Sequence, residues 1–334
     1  MNKAVIGEDM NPRRRGLLLS APLWLAAPRL AMSQSGFPNK PIRFVVPVAP
    51  GGGADLVART VAERWSRVLD QTFVVENKGG AGGVIASQMV AQAPPDGYML
   101  LEGYVATHGT NPATRKVPYD PVNDFTAIGM IGGTPNVLVV GPKVPVTTLA
   151  EFIVYVRQQD GRVNYGSAGA GSLTHLTMEI FCVHHKLKMN HAAYRGIAPA
   201  FTDLIGGQVQ AMFPGLAAAM PHIRSGQVRA LAVTGAKRHA LLPDVPTLEE
   251  SGMKGFDAMQ WYGVVGPAGM PADVVAILNQ SLNKVLRLPD LKERLAAEAL
   301  DPLPMEPAQF RQFIIDDIAR WTRVAQERHI NLDN

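Results

Sequence analysis

The groups best suited to chemistry in this 334-residue chain gather at three glycine-rich stretches, and what they suit is the holding of an anion. The first is Gly51-Gly52-Gly53-Ala54-Asp55, between an apolar run over residues 42–48 and a helix-like run over residues 56–69. Consecutive glycines at a strand-to-helix turn sit where a helix start presents unpaired backbone N–H groups. Asp55, near the first helical turn, either caps those groups or complements the helix dipole. A tight turn that needs only small residues is the alternative reading. The second stretch, Gly79-Gly80-Ala81-Gly82-Gly83, opens another helix-like run and reads equally as flexible loop or ligand approach. The third, residues 166–172, adds hydroxyl groups. Ser167 and Ser172 lie beside backbone N–H groups at a helix start, which suits a carboxylate. Ser172 also reads as a plain N-cap, and His175, one turn in, as facing a cleft or as capping.

Other chemistries fit less well. Glu76 follows the glycine triplet at roughly the 20-residue spacing of a dinucleotide fingerprint, but Leu56 stands where a third glycine would let the helix pack closely. Neither Ser167 nor Ser172 has the flanking glycines of a nucleophile elbow. A base as near as His175 on the same helix would also need a third group to orient it. His184, His185 and His191 lack the spacing and acidic partner of familiar zinc motifs. Cys182, the single cysteine, excludes an internal disulfide and a cysteine zinc site, and among Ile180, Phe181 and Val183 it reads as core. The expectation from these residues is no catalytic residue and no metal site.

The elements that must position these turns alternate. Strand-like runs at 42–48, 72–75 and 98–101 alternate with helix-like runs at 56–69 and 84–92, which is βαβαβ and predicts a parallel sheet with its loops gathered at the strands' C-terminal ends. Residues 103–124 read as irregular. Residues 125–131 and 136–140 read as strands separated by Gly132-Gly133-Thr134-Pro135, and Thr148-Leu149-Ala150-Glu151 as a capping box opening a helix to about residue 159. A second alternation follows, with strands at 163–165, 191–194, 209–213 and 228–233 and helices at 173–185, 198–205 and 217–224. Residues 241–250 read as loop and a short helix, residues 261–265 as extended, and residues 272–287, 291–299 and 307–327 as helical. Two crossings, at 136–140 and 261–265, imply an α/β fold of two lobes: residues 37–140 with 261–334, and an inserted lobe over residues 141–260. The terminal helices would pack back on the first lobe, with hinges near Val140 and Trp261.

Composition narrows the partners. The net charge of +4 and pI near 9.2 come without a dense Lys/Arg block, which argues against nucleic acid and suits a small anionic ligand. Arg13-Arg14-Arg15, the apolar run that follows to Ala27, and Ala31-Met32-Ser33 have the order of an export signal over residues 1–33. The apolar run is well short of the roughly 20 residues that span a membrane. Paired arginines before Gly16-Leu17-Leu18 leave the general secretory and twin-arginine routes open, with a mature start near residues 34–37. The expected location is the periplasm.

Taken in order, several motifs carry a resemblance. They are Phe37-Pro38-Asn39-Lys40-Pro41-Ile42-Arg43, the stretch from Val46 through Gly51-Gly52-Gly53-Ala54-Asp55 to Arg59, Val75-Glu76-Asn77-Lys78-Gly79-Gly80-Ala81-Gly82-Gly83, and Pro95-Asp96-Gly97-Tyr98. Tyr119-Asp120-Pro121-Val122-Asn123-Asp124-Phe125, Leu204-Ile205-Gly206-Gly207-Gln208-Val209, Leu231-Ala232-Val233-Thr234 and Leu242-Pro243-Asp244-Val245-Pro246-Thr247 continue it. From about Phe37 to the C-terminal helices the chain resembles the extracytoplasmic binding proteins of tripartite tricarboxylate transporters, the Bug family. The resemblance implies a type II-like periplasmic binding protein whose two αβ lobes close on a small organic carboxylate, with no cofactor and no covalent chemistry. It implies membrane permease subunits, or a sensor, as partner, and a monomer. Carried over by motif, the ligand-binding residues are Gly51, Gly52, Gly53, Asp55, Ser167, Gly171, Ser172 and His175.

The chain departs from the family at two places. Ala193-Tyr194-Arg195-Gly196 has arginine where the family pattern has lysine, and Arg195 offers a planar fork that suits a second carboxylate. Pro214-Gly215 replaces an Asp-Asn pair, which removes a counter-charge for an ammonium group and points to a ligand without an amine. An exported enzyme acting on a carboxylate, cofactor-dependent or hydrolytic, and a ligand-sensing partner of a signalling protein are the alternative functions.

Overall fold

The computed structural model describes residues 36–332 apart from Gly52, Asp257 and Arg328. The expected export signal therefore lies outside the described residues. Strand β1 (Ile42–Val46) takes β2 (Phe73–Asn77) and β3 (Met99–Tyr104) as parallel neighbours, the arrangement the βαβαβ pattern predicts. Helix α1 (Gly53–Leu69) begins three residues earlier than the apolar pattern suggested. Val57, Val61 and Trp65 recur along one stripe of it and are buried. Trp65 stacks on Phe73 at 4.5 Å and donates its indole N–H to Ser281 Oγ at 2.7 Å. Helix α2 (Val84–Ala91) covers the other face of the same sheet.

The first sheet is completed by β4 (Phe125–Pro135), β10 (Met259–Pro267) and β11 (Asp301–Pro302), in the order β11-β4-β10-β3-β1-β2. Strand β10, which follows the inserted lobe, runs antiparallel between β3 and β4. Two expectations are corrected here. Residues 103–124 are not all irregular: a wide helical turn over Ala106–Thr110 leads into α3 (Asn111–Thr114). Gly132 and Gly133 do not break the strand but lie within β4. A Cβ on Gly132 would run into the Asp301 carbonyl of β11, and one on Gly133 into the Met259 side chain. These glycines serve close approach of neighbouring chain, not a turn. Helices α8 (Ala272–Leu286) and α9 (Pro289–Ala297) join α1 on one face, and α10 (Pro307–Glu327) joins α2 on the other.

The second sheet has the order β7-β6-β8-β5-β9, built from β5 (Val137–Val140), β6 (Asn164–Ser167), β7 (Asn190–Ala193), β8 (Ala211–Met212) and β9 (Arg229–Val233). Helices α4 (Leu149–Gln159) and α5 (Leu173–His184) pack on one face, and α6 (Ile197–Gly206) and α7 (Leu216–Arg224) on the other. The Thr148–Glu151 capping box is formed in full, with both reciprocal bonds present. Residues 241–250 form turns with no helix. Cys182 is buried in the α5 core.

The chain passes between the sheets at Asn136 and again ahead of β10. Asn136 is fully buried, and its amide N–H donates to Thr234 Oγ1 at 2.8 Å. Its side-chain amide donates to the Phe213 carbonyl at 2.8 Å, and Thr234 Oγ1 donates in turn to the Ala258 carbonyl at 2.5 Å. Asn136 lies at the start of the expected crossing over 136–140, whereas Val140, expected as the hinge, ends β5 and pairs in the second sheet. Among the described residues no helix is long and apolar enough to cross a membrane.

Candidate functional site

In each lobe the loops after the parallel strands end at helix starts, and that is where the glycine-rich turns lie. In the first lobe Asp55 is the pivot. It is 5% exposed, and its carboxylate accepts from the Gly51 amide at 2.9 Å, from Arg59 Nε at 2.9 Å and from Asn77 Nδ2 at 2.8 Å. Burial opposes its ionisation, but the bonds from Arg59, Gly51 and Asn77 outweigh that and hold the carboxyl below its usual range. The charge of Asp55 is thus spent inside the lobe, and the Gly51 N–H with it. What this leaves facing outward is the α1 start at Gly53, where an added Cβ would lie 3.4 Å from Tyr262 Oη. Gly52 lies outside the described residues. A groove of about 530 Å³ runs beside this turn, lined by Pro47, Val48, Pro50, Asn77, Gly79 and Tyr104 among others.

In the second lobe the 166–172 turn is held from below by a column of rings. Ser167, at the end of β6, is fully buried, and its Oγ lies 2.6 Å from His191 Nε2. His191 stacks on His175 with centroids 3.9 Å apart and planes within 8°, and on Tyr165 at 5.0 Å. His175 Nδ1 accepts the Gly171 N–H at 3.1 Å, which fixes the proton of the neutral ring on Nε2. Burial holds the His191 imidazole below the usual histidine range, against the opposing charge of Glu179. Ser172 is the N-cap of α5; its Oγ accepts from the His175 amide and donates to the Gly169 carbonyl at 2.6 Å. Ser167 and His191 are spaced like a nucleophile and its base, yet Ser167 has no exposed surface and also bonds the Gly169 backbone. The pair braces the turn.

The second glycine stretch of the first lobe and the turn of the second lobe are linked through α3 and Arg115 after it, inside the stretch that reads as irregular. Asn111 Nδ2 donates to the Gly82 carbonyl at 2.9 Å, and Arg115 Nη2 to the Ala170 carbonyl at 3.4 Å. Gly171 has φ +72°, and a Cβ there would lie 2.9 Å from Thr114 Oγ1. Arg195 is exposed beside this half of the site, because Tyr194 donates its amide to the Ser167 carbonyl at 3.1 Å and its hydroxyl to Asp203 at 2.6 Å. Pro214 and Gly215 lie at the crossing: the Pro214 carbonyl accepts from Val137, and Gly215 bridges to Asn136. Among the described residues no cluster of His, Cys, Asp or Glu could hold a metal ion.

Sequence reasoning missed Asn77, His191 and Tyr262. Asn77 had a signal, since it ends β2 directly before the second glycine stretch. His191 had none, because its contact with Ser167 depends on the parallel register of β6 and β7, which sets Tyr165 beside His191 and Ser167 beside Ala193.

Comparison with known proteins agrees with this architecture. The chain is 35% identical over 305 residues to Protein BugT of Bordetella pertussis, covering 91% of this chain and 93% of that protein. Among solved structures, an R. palustris protein with adipate superposes with a TM-score of 0.83 at 34% identity, over 89% of this chain and 99% of the other. MatC from Rhodopseudomonas palustris, with bound malate, gives 0.77 at 34% identity over 86% and 99%. The periplasmic binding protein BugD gives 0.79 at 35% over 88% and 99%. Residues 57–330 match the model of the tripartite tricarboxylate transporter family receptor, and with relatives this similar along nearly their whole length, the chain belongs to that family.

Proposed function

We propose that this receptor captures a small organic carboxylate between its lobes, in the periplasm, and presents it to the permease of a tripartite tricarboxylate-type transporter. The observation that carries the reading is the pair of glycine-rich turns, one per lobe, at the starts of α1 and α5, with residues 111–115 linking the second glycine stretch of the first lobe to the turn of the second. Helix starts offer N–H groups and a positive dipole end to an anion. Asp55 and Ser167 act as braces in this proposal. The α1 start near Gly53 and the turn at Gly171 and Ser172 make the contacts, with His175 behind them and Arg195 available to a second carboxylate. A carboxylate touching both turns binds the closed form better than the open one, and that difference drives closure. No bond of the ligand is broken. The ligand lacks an amine, since Pro214 and Gly215 carry no charge and their backbone is engaged at the crossing.

Relatives with adipate and with malate support a carboxylate ligand and supply the first probes. Thermal shift of the purified protein against mono-, di- and tricarboxylates, aromatic acids and amino acids is the test. Stabilisation by at least one amine-free carboxylate, with no product formed from it, is the expected result. Turnover of a carboxylate, or stabilisation by none of them, would overturn the proposal.

A further inference from the structure

Glu102 is a fully buried acid that nothing in the first lobe uses. It lies in β3 with 0% exposure, and neither carboxyl oxygen has a hydrogen-bond partner. An apolar residue there would spare the fold an unsatisfied polar group costing about 1–3 kcal/mol. The titratable groups whose charge it feels or perturbs are Asp55 of α1, Tyr104 of β3 and Tyr262 of β10. Val264 stands directly across the ladder from it, and Tyr262 pairs with Tyr104 one step nearer the strand end. Beyond that pair lie the α1 start, where Tyr262 Oη approaches Gly53, and the groove lined by Tyr104. One layer of tyrosine separates Glu102 from the candidate site. The Tyr104 hydroxyl makes one long bond, donating to the Gly82 carbonyl over 3.4 Å.

We propose that Glu102 is a specificity-determining residue at the floor of the first lobe's half of the site, where its protonated carboxyl donates a hydrogen bond to an oxygen of the ligand once Tyr104 turns aside. The inference rests on the carboxylate reading above and deepens it. The ligand class it selects is a carboxylate carrying one further oxygen function, hydroxyl or carboxyl, over the matched acid that lacks only that group. The neutral form is the one the site accommodates. Burial, followed by the nearby Asp55 charge, pushes the Glu102 carboxyl well above its usual range. An ionised Glu102 would also place a third negative charge beside Asp55 and the bound anion.

The test uses two matched pairs of probes, adipate with hexanoate and malate with succinate, measured by calorimetry on wild type, Glu102→Leu and Glu102→Gln. Wild type is expected to prefer adipate, malate or both over the matched partner. Glu102→Leu should lower affinity for the preferred probe at least about tenfold, one hydrogen bond lost to a buried acid, while the partner's affinity holds within about threefold. Glu102→Gln keeps a donor and should stay within about threefold of wild type. Glu102→Leu should melt no lower than wild type, so that lost binding is not lost folding. Unchanged preference in Glu102→Leu, or no preference in wild type, overturns the role of Glu102 and leaves the carboxylate reading standing. Preference for aspartate or glutamate that vanishes in Glu102→Leu overturns the neutral-donor role, because the acid would then be pairing with an ammonium. Binding of no carboxylate overturns the reading and this inference together.

Discussion

Replacing Asp55 with alanine should cost about 3 kcal/mol of stability at neutral pH, and the sum can be built from its contacts. Three donors lose their acceptor: the Gly51 amide, Arg59 and Asn77. The Gly51 and Asn77 bonds go to a carboxylate 7% exposed at its side chain and are worth about 1–1.5 kcal/mol each after the donors rehydrate. Arg59 is 50% exposed, so its pair is discounted to the surface value, below about 1 kcal/mol. Loss of a negative charge in the first turn of α1 removes about 0.5 kcal/mol more. With unfolding entropy near 2.1 cal/mol/K per residue, about 3 kcal/mol in a chain of roughly 300 residues lowers Tm by about 5 °C. The depressed folded pKa makes this contribution fully present above the unfolded value near 3.8 and lost as pH falls through the still lower folded value. The gap between wild type and Asp55→Ala in circular-dichroism melts should therefore be full at pH 7 and begin to narrow as pH falls below about 3.8. A variant melting within about 1 °C of wild type at pH 7 would show that the turn does not depend on Asp55, and the pivot assigned to it would be wrong.

Two further outcomes follow from the second lobe. His191→Phe keeps a ring in the column but removes the 2.6 Å contact to Ser167, so ligand affinity should fall about tenfold in calorimetry. In wild type the buried, depressed His191 binds its proton later than the unfolded chain does, so its contribution to stability is lost as pH drops below about 6.5. Melts at pH 7.5 and 5.0 should show a smaller acid drop for His191→Phe than for wild type, and equal drops would refute the role of the column. Gly171→Ala places a Cβ against Thr114 and Leu332 at a φ of +72°, and should cost about 1–3 kcal/mol, with weaker ligand binding. Wild-type melting and affinity in that variant would mean the turn is free to move off α3.

The sequence by itself determined the local framework. Apolar runs of strand and helix length, the Thr148 and Ser172 caps, and glycines before helix starts are short-range signals, and each corresponds to a feature of the structure within a few residues. The two alternations with two crossings were enough to imply two sheets, because a parallel neighbour requires a crossover and a strand returning late must enter an existing sheet. Tertiary structure decided which groups remain available. The family resemblance makes Asp55 a ligand contact, but only the return of Asn77 at the end of β2 and of Arg59 one turn along α1 shows its charge already satisfied. Gly132 and Gly133 read as a break because nothing local distinguishes a turn from a place where Asp301 and Met259 press close. Glu102 follows two leucines at the edge of an apolar run, and its meaning appears only when β10 places Tyr262 beside Tyr104 above it. Hydrogen bonding between distant segments depends on strand register and helix placement, and those are set by the packing of the whole chain.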